Sequence, residues 1–201
     1  MSRRAFSVTY DYRCPFARNA HEHLVVALRD GADWDVEFAP FSLSQAHVEE
    51  GGVPVWDDPA KAADLLAIEA GLVVRDSFPD RFFDVHVGLF AARHDGGLDL
   101  RKESVIRDVL EASGVDSDAV FETVAEGGPR DTFRKAHEAA VTTHQVFGVP
   151  TFVVGDSAVF VRIMTRPGDD ATLARTTVEG VLTLLDEHPE INEFKHTTIK
   201  R

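Results

Sequence analysis

Cysteine is nearly absent from this chain. Cys14 is the only one in 201 residues. That excludes an intramolecular disulfide and any thiolate-rich metal site, and it fits a reducing compartment. Positive charge is also scarce: 21 Lys and Arg stand against 34 Asp and Glu, a net charge of −13 at pH 7. An acidic surface repels nucleic acid and anionic membrane, so neither is expected as a partner, and solubility is reason enough for the charge. No run approaches the ~18 apolar residues of a membrane helix. Met1-Ser2-Arg3-Arg4 leads straight into a strand pattern, without the longer apolar stretch of a secretory signal, so a cytoplasmic location is expected. There is no Gly-rich phosphate loop, no nucleophilic serine elbow and no dinucleotide-binding glycine fingerprint. There is no internal repeat or low-complexity tract, and no pair of carboxylates stands out as an acid–base couple. What remains is ample for a core: 44% of the residues are hydrophobic, enough for one large domain or a domain with a substantial insertion.

Phe6, Val8 and Tyr10 alternate with Ser7 and Thr9, as in a strand. Phe16, Ala20, Leu24 and Leu28 then recur every four residues, with Ala17, Val25 and Ala27 widening the apolar face and Gly31 as a stop. Trp34, Val36 and Phe38 alternate again. Two strands joined by a helix predict a parallel, right-handed crossover. The stretch from Ser44 to Pro59 carries loop residues and is long enough for a functional loop or lid, in which Trp56 either faces a substrate or anchors into the core.

From Pro59 to about Gly128 the pattern is helical. One apolar face runs from Ala62 to Ile68 and ends near Gly71. A second runs from Phe82 to Phe90 and ends at Gly96-Gly97. A third runs from Val105 to Leu110 and ends at Gly114, and a fourth short helix follows the N-cap Asp116. Another helix covers about 129–147. Phe152–Val154 and Ala158–Val161 flank a Gly155-Asp156-Ser157 turn, a hairpin signal. Asp169 or Asp170 caps a last helix carrying Leu173, Val178, Val181, Leu182 and Leu185, and partial mobility is expected of the polar tail from Glu190 to Arg201. The chain thus divides into a core part over 1–56, a helical insertion over 57–128 and a second core part over 129–201.

The first strand and first helix meet at Tyr10-Asp11-Tyr12-Arg13-Cys14-Pro15-Phe16-Ala17. Cys14 falls on or just before the first helical turn, and Pro15 suits that turn because its missing N–H has no intrahelical partner there. Free N–H groups and the helix dipole favour a thiolate and can bring a cysteine pKa from ~8.5 to roughly 3.5–7.5; a buried, inert thiol is the alternative. Arg13 and Arg18 could each stabilise a thiolate or hold a substrate carboxylate, or simply be solvated, whereas Asp11 would oppose the thiolate. Tyr12 could donate to a bound thiol or simply pack. Among nine histidines none forms the i, i+4 pair with a carboxylate that a zinc helix shows, so they are read as solvated and no metal is expected. His144, near the end of the helix leading to Pro150, is the one placed to approach the thiol.

Three segments carry a family resemblance. They are Asp11-Tyr12-Arg13-Cys14-Pro15-Phe16-Ala17, then Leu89-Phe90-Ala91-Ala92 with Gly96-Gly97-Leu98-Asp99-Leu100, and Gly148-Val149-Pro150-Thr151-Phe152 before the hairpin. In this order they resemble the DsbA-like thioredoxin-fold family over nearly the whole chain. The nearer branch is the cytoplasmic one, comprising FrnE-like oxidoreductases, 2-hydroxychromene-2-carboxylate isomerase, kappa-class glutathione transferases and mycothiol-dependent reductases. The resemblance implies an α/β, thioredoxin-like fold with an all-helical insertion. It also implies a cis Val149–Pro150 bond beside a catalytic Cys14. Pro15, Phe16, Arg18, Trp56, Val149 and Pro150 are then the residues expected to bind substrate.

Disulfide-exchanging relatives usually carry a second cysteine three positions after the first, where this chain has Ala17. A dithiol enzyme resolves its mixed disulfide with that second thiol. The resemblance therefore implies a single-cysteine oxidoreductase acting on a small-molecule thiol or disulfide. No cofactor is tightly bound, and an external low-molecular-weight thiol, glutathione or mycothiol, serves as co-substrate. The alternatives are a glutathione- or mycothiol-dependent transferase or isomerase, and a non-catalytic thiol-binding module with a degenerate site. A homodimer through the insertion is compatible with the pattern but not required by it.

Overall fold

Alternating side chains make Arg4–Tyr10 the first strand, β1, in the computed structural model, which describes residues 3–196. Helix α1 (Pro15–Arg29) follows, and then β2 (Trp34–Pro40), paired parallel to β1 from Arg4↔Trp34 to Tyr10↔Pro40, as the crossover pattern predicts. A short helix α2 (Leu43–Ala46) is capped by the Ser42 side chain, within a stretch that reads in sequence as loop.

Helices α3 (Ala62–Ser77), α4 (Phe82–His94), α5 (Glu103–Ala112) and α6 (Ser117–Ala125) make up the helical stretch between the two parts of the sheet. Helix α7 (Gly128–His144) packs on both α3 and β2. The chain then forms β3 (Thr151–Val154) and β4 (Ser157–Phe160), and closes with α8 (Ala171–Glu187), capped by Asp170 and packed on α1. The sheet order is β2-β1-β3-β4, with β3 antiparallel to β1 and β4 antiparallel to β3. This is a mixed α/β architecture with a helical insertion, matching the expected class. Residues 1–2 and 197–201, the latter part of the tail read as polar, lie outside the described residues. Among the described residues no helix is long and apolar enough to cross a membrane.

Gly71 does not end its helix, against the sequence reading. It lies inside α3 because the Tyr12 hydroxyl occupies the space its side chain would need: a Cβ there would fall 2.7 Å from Tyr12 Oη. The helix tolerates the glycine because its buried face still packs Leu65, Ile68, Leu72 and Val73 into the core.

Candidate functional site

Cys14 is the N-cap of α1. Its backbone is extended, Pro15 occupies the first helical position, and Sγ accepts a hydrogen bond from the Ala17 N–H at 3.5 Å. The sulfur thus takes the place that a serine or threonine oxygen fills in an ordinary cap. On its other side the thiol donates to the Val149 carbonyl at 3.2 Å, across 135 residues of chain. The Val149–Pro150 bond is cis, as the resemblance implies. The segment is held from both flanks: Thr9 Oγ1 accepts from the Thr151 N–H at 2.8 Å, and the Pro150 carbonyl accepts from the Val161 N–H at 3.1 Å.

The thiol is not a depressed one. Burial pushes the Cys14 pKa up, the N–H groups of Ala17 and Phe16 pull it back, and Asp11 adds to the rise. The expectation of a helix-start thiolate is therefore corrected: at 9% exposure, desolvation outweighs two N–H groups. A thiol that donates to a carbonyl is also a protonated thiol.

Neither flanking arginine is free. Arg13 grips Asp11 through Nε and Nη2 and donates to Ser44 Oγ at 2.7 Å, while Asp11 also accepts from the Leu43 N–H. Arg18, expected to bind substrate, is 8% exposed and holds Glu22 and Asp95 instead. Its Nε and Nη2 are committed to those two carboxylates. Trp56 is likewise a core anchor, 7% exposed and packed edge-on against Phe133 at 4.9 Å between ring centroids, so it offers no open apolar wall. Pro15 is exposed and Phe16 half-buried beside the thiol. A cavity of about 510 Å³, within the usual range for small-molecule sites, opens on the Arg13 side of the turn, lined in part by Leu43, Ser44, His47, Val53 and Lys61.

The solvated reading of the histidines is overturned for His21, His23, His86 and His137, which are all buried. Three long-range contacts form a column. Tyr12 Oη lies 2.9 Å from His86 Nδ1, His86 Nε2 lies 2.9 Å from His21 Nδ1, and His21 Nε2 lies 3.3 Å from the Thr9 carbonyl. Burial drives the His21 pKa down to about 3 and that of His86 well below the usual value, so both rings are neutral. The tautomers then follow from the end that can only accept. His21 Nε2–H donates to Thr9, His86 Nε2–H donates to His21, and Tyr12 O–H donates to His86. Sequence spacing could not find this column, because its partners stand 65 and 74 residues apart. His144 closes α7 with Nδ1 buried and no hydrogen-bond partner among the described residues, and no hydrogen bond joins it to Cys14. Among the described residues no group of three or more His, Cys, Asp or Glu side chains is placed to hold a metal ion.

Residues 83–166 match a family model described as a DSBA-like thioredoxin domain. The matched stretch includes Val149–Pro150 and stops short of the Cys14 turn. No curated protein sequence matches the chain. Among solved structures, 2-hydroxychromene-2-carboxylate isomerase is similar with a TM-score of 0.63 at 18% identity, over 90% of this chain and 96% of that one. A thioredoxin-like oxidoreductase from Silicibacter pomeroyi DSS-3 aligns with a TM-score of 0.58 at 15% identity, over 89% and 86% of the two chains. DsbA of Pseudomonas aeruginosa aligns with a TM-score of 0.56 at 23% identity, over 90% and 85%. At these identities the likeness is one of fold.

Proposed function

We propose, from the DSBA-like thioredoxin fold of this chain, that it is a thiol-dependent enzyme in which Cys14 exchanges with small disulfides and an external thiol completes the cycle. One observation carries the reading: Cys14 Sγ meets the carbonyl of Val149, at the cis bond to Pro150, although the two segments are 135 residues apart. An extended ligand laid along Val149 would have its backbone-like polar groups paired and its sulfur held over Cys14. Pro15 and Phe16 would form the adjoining apolar edge.

The chemistry has two balanced steps. The Cys14 thiol loses its proton to solvent and attacks one sulfur of R–S–S–R. The Cys14–S–S–R bond forms as the old S–S bond breaks and R–S⁻ leaves. A low-molecular-weight thiol such as glutathione or mycothiol then attacks the mixed disulfide, leaves as a new disulfide and returns Cys14 reduced. A cytoplasmic location would supply that thiol. Ala17 is what demands it, because no second cysteine exists in the chain.

The test is incubation with low-molecular-weight disulfides followed by intact mass. Wild type is expected to gain one adduct that excess thiol removes, and Cys14→Ser none. Unchanged reactivity of Cys14→Ser, or no adduct on wild type, would sink this reading. The raised, hydrogen-bonded thiol favours one second reading, a transferase or isomerase that holds a thiol cofactor without covalent turnover. In that case S-methylglutathione, which cannot exchange, binds wild type and Cys14→Ser equally by calorimetry.

A further inference from the structure

Arg13 and Arg18, the two cations next to the thiol in sequence, are both consumed by carboxylates. The fold brings in a third. Arg162 follows β4, is exposed, and makes no ion pair among the described residues. Its guanidinium carbon lies 5.6 Å from the centroid of the Phe16 ring, within cation–π range. Phe16 is two residues from Cys14, and its N–H is one of the two groups that favour the thiolate.

The backbone on either side of Arg162 is fastened to the site. The Val161 N–H donates to the carbonyl of Pro150 at 3.1 Å, and the Asn19 side-chain amide of α1 donates to the carbonyl of Ile163 at 2.9 Å. Residue 162 is therefore fixed between the cis-proline segment and the helix that starts at Cys14. A guanidinium stacked over an aromatic face keeps its N–H edges free, and those edges fit a carboxylate bidentately. Arg166, four residues on, is no substitute, because it is held by Glu22 and Asp95.

We propose that Arg162 is the specificity-determining residue of this site and that it selects disulfides carrying a carboxylate. The proposal rests on the exchange chemistry assigned above to Cys14. A chain with a net charge of −13 repels anions at long range. An anionic disulfide would be a poor substrate here unless a local cation received it, and Arg162 is placed to do so over the ring of Phe16, two residues from Cys14.

The experiment measures second-order rates of Cys14 adduct formation by intact mass with three matched probes. They are dithiodipropionate (anionic), bis(hydroxyethyl) disulfide (neutral) and cystamine (cationic). In wild type the anionic probe is expected to react faster than its charge alone predicts. In Arg162→Ala the ratio of anionic to neutral rates falls roughly five- to tenfold, the scale of one ordinary hydrogen bond at an exposed position. Arg162→Lys, which keeps the charge without the fork, recovers part of it. An unchanged ratio in Arg162→Ala overturns the assignment while leaving the exchange chemistry standing. So does a ratio that falls only in Lys61→Ala, which would place the anion in the neighbouring cavity. No adduct with any of the three probes overturns the exchange chemistry, and the assignment with it.

Discussion

Two polar arrangements start from the same end of β1, and they treat burial in opposite ways. In the column from Tyr12 through His86 and His21 to Thr9, each of the three donors meets one acceptor and every ring is sealed from water. At the Cys14 turn, burial leaves a thiol with two weak sulfur hydrogen bonds and a pKa pushed upward. A matched buried network specifies one arrangement of the chain, whereas a mismatched one holds a group whose state a ligand can change. The two are joined at both ends. Tyr12 stands two residues before Cys14. Thr9 takes His21 on its carbonyl and the Thr151 N–H, next to Pro150, on its hydroxyl. The column is thus the backing on which both halves of the thiol site are mounted.

The contrast is broken most severely at His86. Its replacement by alanine leaves the Tyr12 hydroxyl without an acceptor, His21 Nδ1 without a donor, and a cavity among Tyr10, Phe38 and Phe90. A loss of about 3–5 kcal/mol in urea-unfolding stability is expected. A loss within 1 kcal/mol, on the order of an ordinary surface change, would show that the column carries no such weight.

Acid should act more gradually. His21 and His137 have folded pKa values of about 3 and about 4, and His86 lies well below the usual histidine value. Each binds its proton more readily in the unfolded chain. Stability is therefore full above the unfolded value of ~6.5 and declines as pH falls, by up to about 1.4 kcal/mol per pH unit for each histidine. The decline for each ends at its folded value. Urea midpoints measured from pH 7 down to pH 4.5 would reveal the slope, and a flat profile would contradict the neutral column. The thiol responds in the other direction: its alkylation rate should titrate above the ordinary cysteine value.

The smallest change in stability should come from Ala17→Cys, yet it sharpens the contrast most in chemistry. Residue 17 is buried one helical turn from Cys14, with its N–H already on the sulfur. Mild oxidation should convert two titratable thiols into none, with the loss of two hydrogens by mass. Retention of both thiols would mean that the turn does not bring the two positions within disulfide reach.

The elements that set up the thiol were legible because their signals are local. Alternation over Phe6–Tyr10, four-residue spacing from Phe16 and the Gly155-Asp156 turn each state their own conformation. The helix start places Cys14 by itself, and the resemblance brings Val149–Pro150 to it. What stayed hidden depends on partners far away in sequence. Arg18 looks like a free cation until Asp95, the C-cap of α4, arrives from 77 residues on. Trp56 reads in sequence as either a substrate-facing aromatic or a core anchor, and only the packing of Phe133 on it decides for the core. His21 and His23 look solvated because i, i+2 spacing on a helix says nothing about what covers each ring. Arg162 sits after a strand with no motif around it, and the pairing of β3 with β4 together with the Asn19 bond to Ile163 brings it to Phe16.

The missing side chain at Gly71 bears on where this protein can be cut and rejoined. Helix α3 belongs to the inserted helices and Tyr12 to the turn before Cys14, and the two surfaces mate through the absence of a single methyl group. An exchange of the inserted helices with those of a relative would have to transfer both faces of that joint. If any residue larger than glycine came in at position 71, its Cβ would meet the Tyr12 hydroxyl at 2.7 Å, and the bond of that hydroxyl to His86 would be strained. The border between core and insertion is thus a poor place for recombination, although the chain runs through loop on either side of it.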